Sequence, residues 1–258
     1  MGFYNLSKED RKKKLEQIQQ KLLYYLEKKH TKKDIPFFSD GDTYMRKAAY
    51  QAIGKIFNQH EYLRKTILQR LEESFTMKDA SVRQTAINAA GEIGLKEFEL
   101  AKSLFDKGLF DDHHSVRNAV IGSMKKMGKK NPSPVLTWAK KYLHHPDKEI
   151  RREICHGIEL RGRTHPQDIL PLLKELQNDT TARVKNTLIH VIGQISYKKG
   201  CLETVISHLK KWENKELVAK AVIEIIDVHE RYKDFAIRTR AEAQKYIYKM
   251  LKPMFVPF

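Results

Sequence analysis

Two histidines in this sequence are spaced so that they could support acid–base chemistry or metal binding. His156 and His190 are 34 residues apart, Glu224 follows 34 residues later, and Glu159 and Asp227 each lie three residues beyond a member of that series. Imidazole titrates near neutral pH, and imidazole and carboxylate groups both ligate divalent ions, so these five side chains are candidate catalytic residues. The more ordinary interpretation is a polar surface patch, and we expect neither a resident metal nor a cofactor.

Positive charge is the second feature with chemical consequences. The chain has 49 lysine and arginine residues against 32 aspartate and glutamate residues, a formal charge of +17. Residues 101–200 hold 19 basic and 10 acidic residues, so an excess of +9 belongs to folded segments rather than to a tail. A basic surface attracts polyanions through counterion release, so DNA or another nucleic acid is the first expected partner and a protein is the second.

The composition argues against a membrane or secreted protein. No apolar run approaches the roughly 18 residues of a membrane-spanning helix, and residues 1–16 are polar and lysine-rich. Cys155 and Cys201 are the only cysteines, too few for a disulfide framework and without the paired spacing of a zinc site. We therefore expect a cytoplasmic monomer with no membrane partner.

An internal repeat must position the candidate residues. A pattern of apolar, basic, polar, any and apolar residues recurs at spacings of 37, 34, 34 and 34 residues. Its basic residue, which we call position 0, is Arg46, Arg83, Arg117, Arg151 and Lys185 in turn. A sixth, weaker copy has Ala219 there, and three copies carry glycine at position +8, namely Gly54, Gly91 and Gly193.

Each copy predicts an amphipathic helix, which we call a motif helix. Apolar residues at positions −1, +3, +4 and +7 form one stripe, while positions +1 and +5 hold no large apolar residue. An aspartate that could cap the helix precedes five of the copies: Asp42, Asp79, Asp112, Asp147 and Asp179. Second helical stretches, which we call intervening helices, are predicted at 62–75, 98–105, 135–143, 169–176 and 202–212.

This pattern predicts an all-α fold, a right-handed α-solenoid of about six helical hairpins. We expect one domain over 1–258, with repeats at roughly 42–230 and capping helices at about 8–29 and 235–251. The motif resembles the HEAT repeat: Asp79, Val82 and Arg83 lead through small apolar residues to Gly91 and Ile93. In such an array, equivalent positions of the motif helices form parallel rows along the concave surface.

One of these rows predicts a nucleic-acid site. Position +1 is a hydrogen-bond donor in every copy and acidic in none: Lys47, Gln84, Asn118, Arg152, Asn186 and Lys220. Further cations that could contact nucleic acid are predicted to lie near the row at position +5: Lys125, Lys126, Arg161, Arg163 and Lys198. The basic residues at position 0 are instead expected to make structural ion pairs with the aspartates of neighbouring repeats.

One stretch also resembles the bacterial HEAT-like-repeat DNA alkylation-repair glycosylases. It runs from Trp138-Ala139 through His145-Pro146 to Ile150-Arg151-Arg152, and then to His156-Gly157. In one branch of that family a similar run leads to Glu-Gly, in which the acid is catalytic. Cleavage of the glycosidic bond needs such a carboxylate, and His156 lacks it.

The resemblance therefore supports DNA binding in a basic groove, in DNA repair, more than it supports catalysis. Two alternatives remain open. One is a glycosylase for alkylated bases that uses Glu159, Glu224 or Asp227 as its acid. The other is a protein-interaction scaffold.

Overall fold

A computed structural model describes residues 3–28 and 34–255, and the regular secondary structure there is helical throughout. The chain forms two compact units, Met1–Asn131 and Pro132–Phe258, which we call unit 1 and unit 2. Among the described residues, no helix combines the length and apolarity that crossing a bilayer demands.

The motif helices form where the repeat predicts them. In unit 1 they are α2 (Thr43–Gln59), the first part of α4 (Ala80–Leu109) and α5 (His114–Lys130). In unit 2 they are α7 (Lys148–Gly157), α10 (Ala182–Gln194) and α12 (Lys215–Arg231). In α4 the backbone departs from helical geometry at Glu97 (φ −120°, ψ 58°), where the motif helix gives way to its intervening helix.

The remaining helices complete the hairpins and the ends. The intervening helices are α3 (Arg64–Ser74), the second part of α4, α6 (Pro132–Lys140), α9 (Pro166–Glu175) and α11 (Cys201–Leu209). Short helical segments occupy Phe3–Asn5, Glu61–Leu63 and Glu159–Gly162, the last of which is α8.

The terminal helices are α1 (Lys8–Glu27) and α13 (Arg240–Phe255). Residue 29, where the first capping helix is predicted to end, lies outside the described residues. The second begins at Arg240 rather than near 235, because Thr239 and Glu242 exchange hydrogen bonds as a capping box at that point.

Side chains satisfy the exposed backbone N–H groups at the start of most motif helices. Asp42, Asp79 and Asp147 each accept a hydrogen bond from the N–H two residues on, as predicted. The prediction for Asp112 is wrong by one residue, because α5 begins at His114 and the His113 imidazole accepts from the Ser115 N–H.

At position 0, Arg83 and Arg151 make the structural ion pairs that the sequence predicts. Arg151 Nε and Nη2 donate to the two oxygens of Asp179, at 2.6 and 3.2 Å, and Arg83 holds Asp111 in the same way at 2.7 and 3.0 Å. The partner of Arg83 is therefore Asp111 rather than Asp112. Bidentate pairs of this kind fix the connection between successive hairpins.

Close packing of the motif helices builds each core. In unit 1, α4 packs on both α2 and α5, and in unit 2, α10 packs on both α7 and α12. The apolar stripe of each motif helix is buried, as at Ile53 and Ala86 in unit 1 and Ile154 and Leu188 in unit 2. Trp138, on α6, and Trp212, just after α11, are also buried, which agrees with the packing role expected for them.

Candidate nucleic-acid interface

The predicted row of donors is contiguous within unit 2. Arg152, Asn186 and Lys220 come from α7, α10 and α12, which pack side by side. Arg152 and Asn186 line one depression of about 360 Å³, and Asn186 and Lys220 line a second of about 160 Å³. Since Asn186 borders both, the three donors follow one continuous surface.

Two carboxylates on this surface, Glu149 and Glu216, lie against cations of the motif helices. Glu149 accepts from Arg152 Nε at 2.9 Å through one oxygen and from Arg183 Nε at 2.7 Å through the other. Glu216 lies 2.6 Å from Lys220 Nζ, and this hydrogen bond, with the charge of nearby Lys185, lowers the pKa of the Glu216 carboxyl. Glu149 thus orders two arginines, and Arg152 also lies 3.4 Å from the buried Glu153.

The row also reaches solvent in unit 1. Lys47 and Asn118 are exposed on α2 and α5, and half-buried Gln84 on α4 donates to the Ser115 carbonyl at 3.4 Å. This hydrogen bond joins Gln84 on α4 to the start of α5.

The other predicted cations lie in varied environments. Lys125 is half-buried on α5, while its exposed neighbour Lys126 lies 3.5 Å from Glu92 and 5.6 Å from the Tyr50 ring centre. Lys198 is exposed in the α10–α11 connection and borders a separate depression that includes Arg238. These lysines are accessible to a ligand.

Two arginines serve the fold of unit 2. Arg161 pairs with Asp168 at 2.6 Å and thereby joins α8 to α9. Arg163 donates through Nε and Nη2 to Oε1 of Glu159 at 2.9 and 2.5 Å, and through Nη2 to Gln194 Oε1 at 2.8 Å. Their hydrogen-bonding capacity is thus directed largely toward protein groups.

The histidines predicted to be neighbours lie together. The rings of His156 and His190 are 6.2 Å apart between centroids, and His156 Nε2 lies 3.1 Å from Glu159 Oε2. Both imidazoles line the larger depression beside Arg152. Glu159 itself is buried, with 1% of its surface exposed.

The two remaining candidate acids have cationic partners. Glu224 Oε1 is 3.6 Å from His190 Nδ1 and 3.3 Å from Arg231 Nη1, while Asp227 lies 3.6 Å from Arg240. Glu224 therefore extends the histidine row toward α12, and Asp227 belongs to the contact between α12 and α13.

Three residues of this region were not predicted from the sequence: Arg183, Glu149 and the buried Gln194. The repeat contained a signal for two of them, because Glu149 and Arg183 both occupy position −2 of consecutive motif helices and carry opposite charges. The repeat pattern does not single out Gln194, because its role follows from its hydrogen bond with Arg163 in the structure.

Comparison with known proteins bears on the fold. No family model matches the chain, and no curated protein matches its sequence. Among solved structures, AlkD2 from Streptococcus mutans is similar with a TM-score of 0.52 and 16% identity, over 86% of this chain and 100% of that one. The protein smu.31 from Streptococcus mutans UA159 is similar with a TM-score of 0.51 and 17% identity, over 79% of this chain and 97% of that one.

The chain has a HEAT-like helical-repeat fold. The all-α solenoid class predicted from the repeat is confirmed, and so is the resemblance to the alkylation-repair superfamily at the level of the fold. At such low identities, the likeness assigns the HEAT-like architecture and no activity.

Proposed function

We propose that this protein binds nucleic acid through the position +1 row of its motif helices. The observation that carries the proposal is the continuity of Arg152, Asn186 and Lys220 along two adjoining depressions. DNA, or a structured nucleic acid, is the class of ligand whose repeating phosphates fit a row of donors that recurs with each hairpin.

The charges beside the row favour phosphate over a carboxylate-rich protein. Arg152 and Arg183 share one acid, Lys185 and Lys220 lie near another, and the overall charge is +17. Cations that carboxylates already order can exchange those contacts for phosphate contacts with little further loss of side-chain entropy. Binding would then release counterions and depend steeply on salt.

Three members of the row are amides, which can bind phosphate without charge. Gln84, Asn118 and Asn186 donate hydrogen bonds to phosphate oxygens without adding charge, and contacts to phosphate carry no base sequence. We therefore expect the affinity to depend weakly on base sequence and more strongly on the shape of the nucleic acid. The resemblance to alkylation-repair proteins suggests a role in DNA repair.

The environments of the acids do not favour a glycosylase as a second function. A catalytic carboxylate must face the bond that breaks. Glu159 is buried against Arg163, and both Glu224 and Asp227 lie beside arginines. Binding is therefore the single function proposed.

The test is the affinity of a labelled DNA duplex, measured by fluorescence anisotropy from about 50 to 200 mM salt, with single-stranded and branched competitors. The double variant Lys47→Gln, Lys220→Gln removes one exposed cation from the row in each unit. Each lost phosphate contact lowers the salt slope by about 0.9, so the double variant should lower it by about 1.8.

A matched control removes the same charge from intervening helices. Lys65 on α3 and Lys210 just after α11 are also exposed, one in each unit. Lys65→Gln, Lys210→Gln should leave the slope within error of the unaltered protein. Equal losses in both double variants would show that binding does not select the motif helices, and no binding at 50 mM salt would favour a protein partner.

A further inference from the structure

We propose that His156, Glu159 and His190 form a binding site for one divalent transition-metal ion. One ligand atom from each residue lies within 4.8 Å of the others, and His156 Nε2 is 3.1 Å from Glu159 Oε2. Two imidazoles and one carboxylate are donors that suit Zn²⁺, Co²⁺, Ni²⁺ or Fe²⁺. This inference departs from the expectation, drawn from the sequence, that the chain holds no metal.

The register of Glu159 shows that packing alone does not explain this residue. It occupies position +8, where three other repeats have glycine. A Cβ atom at Gly91 would lie 2.5 Å from Ser123 Oγ, and one at Gly193 would lie 2.6 Å from Glu224 Cγ, so this position is at a close approach of neighbouring motif helices. Glu159 instead places a carboxylate there with its side chain 2% exposed. Burying a charge has a desolvation cost of several kcal/mol that a glycine avoids.

Partners around the carboxylate direct one of its oxygens toward the histidines. Arg163 binds Oε1 through two nitrogens, while Oε2 lies on the side of His156. Gln194 holds Arg163 in turn, and its buried Nε2 has no hydrogen-bond partner among the described residues. Such outer contacts fix the orientation of metal ligands in proteins.

An acid also lies behind the second histidine. His190 Nδ1 is 3.6 Å from Glu224 Oε1, and Glu224 is positioned by Arg231 at 3.3 Å. A carboxylate beside one ring nitrogen of a histidine favours the tautomer in which the other nitrogen can bind metal. The cluster therefore has both the inner ligands and the outer partners of a metal site.

The site is open enough to accept an ion from solution. The side chains of His156 and His190 are 33% and 45% exposed, and both line the 360 Å³ depression. Ligand atoms around a bound ion lie about 3 Å apart, so the widest separation must contract by roughly 1.5 to 2 Å. Rotation of the two exposed imidazoles provides that movement while Glu159 stays fixed. The other coordination positions then face Arg152 and Arg183, which favours water or an anionic oxygen there.

The experiment is a titration of the full chain with Co²⁺ at pH 7.5 without nucleic acid, followed by visible absorption, with Zn²⁺ as competitor. We expect one ion per chain in a site that Zn²⁺ empties. His156→Ala and His190→Ala should each weaken that site at least about 100-fold, and Glu224→Gln about 10-fold. Circular dichroism checks that each variant remains helical.

His144→Ala is the matched control, because His144 is exposed and also faces a carboxylate, Glu175, at 2.8 Å. It should leave the site unchanged. Unchanged affinity in His156→Ala and His190→Ala, an equal loss in His144→Ala, or no binding up to millimolar Co²⁺ would overturn the proposal. Since the titration contains no nucleic acid, its failure leaves the proposed DNA binding untouched.

Discussion

Removing Asp179 should destabilise the protein far more than removing an exposed acid. The Arg151 and Asp179 side chains are 13% and 5% exposed, and among the described residues Asp179→Ala leaves the guanidinium with only the carbonyls of His145 and Pro146 as acceptors. Breaking one side of a buried pair costs about 3 kcal/mol or more, because the remaining charge stays desolvated. For a chain of this size, that cost lowers Tm by about 6 to 12 °C.

The assay is thermal unfolding followed by circular dichroism at pH 7, with Glu216→Ala as the control. Glu216 pairs with Lys220 on the surface, where the two side chains are 79% and 60% exposed, so its loss should leave Tm nearly unchanged. In a second comparison, Arg151→Met combined with Asp179→Leu should recover most of the stability, since no unpaired charge remains.

The same pair gives a prediction for pH with a definite sign. Burial raises the pKa of Asp179, but hydrogen bonds from Arg151 and Thr181 outweigh it and hold the pKa below its ordinary value. An aspartate whose pKa is lower in the folded than in the unfolded chain stabilises the folded chain. This stabilisation is full above the unfolded-state pKa of about 3.9 and is lost as pH falls through the folded-state pKa. The Tm difference between the unaltered protein and Asp179→Ala should therefore be full at pH 6 and shrink below about pH 4. A difference equal to that of Glu216→Ala, or one that is the same at pH 3 and pH 7, would refute this account.

Two further predictions concern packing and thiol reactivity. Gly91→Ala should lower the free energy of unfolding by about 1 to 3 kcal/mol, because the added Cβ would lie 2.5 Å from Ser123 Oγ. Gly122→Ala should instead raise it by up to about 1 kcal/mol, because no atom lies within 4 Å of the added Cβ and alanine favours the helix. Urea unfolding measures both changes. Burial raises the pKa of the Cys155 thiol, so a thiol reagent should modify this residue only on the timescale of unfolding. Rapid labelling of Cys155 in the folded chain would contradict its place in the core.

Much of the fold could be predicted because each hairpin repeats the same pattern of apolar, basic and capping residues. The spacing of Arg83 and Arg151 predicted their ion pairs, and the apolar stripe predicted the buried faces. Departures occur where one repeat differs from the others. His113 replaces an aspartate cap, and the motif helix of the fourth repeat ends at Gly157, with α8 following as a separate turn. A rule derived from the average repeat cannot predict such local substitutions.

The candidate site was predictable only in part, for a related reason. Register alone placed His156 beside His190, because equivalent positions on packed motif helices are neighbours. It did not indicate that Glu159 would be buried against Arg163, since the other repeats have glycine, lysine or the partly exposed Asp227 at that position. The choice between a solvent-facing and a buried carboxylate depends on the surrounding side chains, which no periodicity encodes.

The acids on the surface of unit 2 explain how a strongly basic face can exist before a ligand binds. Arginines and lysines on adjacent motif helices repel one another, and the repulsion is least where a carboxylate lies between them. Glu149 between Arg152 and Arg183 has this arrangement, and Glu216 near Lys185 and Lys220 repeats it one hairpin later. Glu149 orders both arginines, and Arg152 also lies 3.4 Å from the buried Glu153. These carboxylates reduce the repulsion between neighbouring cations, and the ion pairs on this face are compatible with the proposed binding.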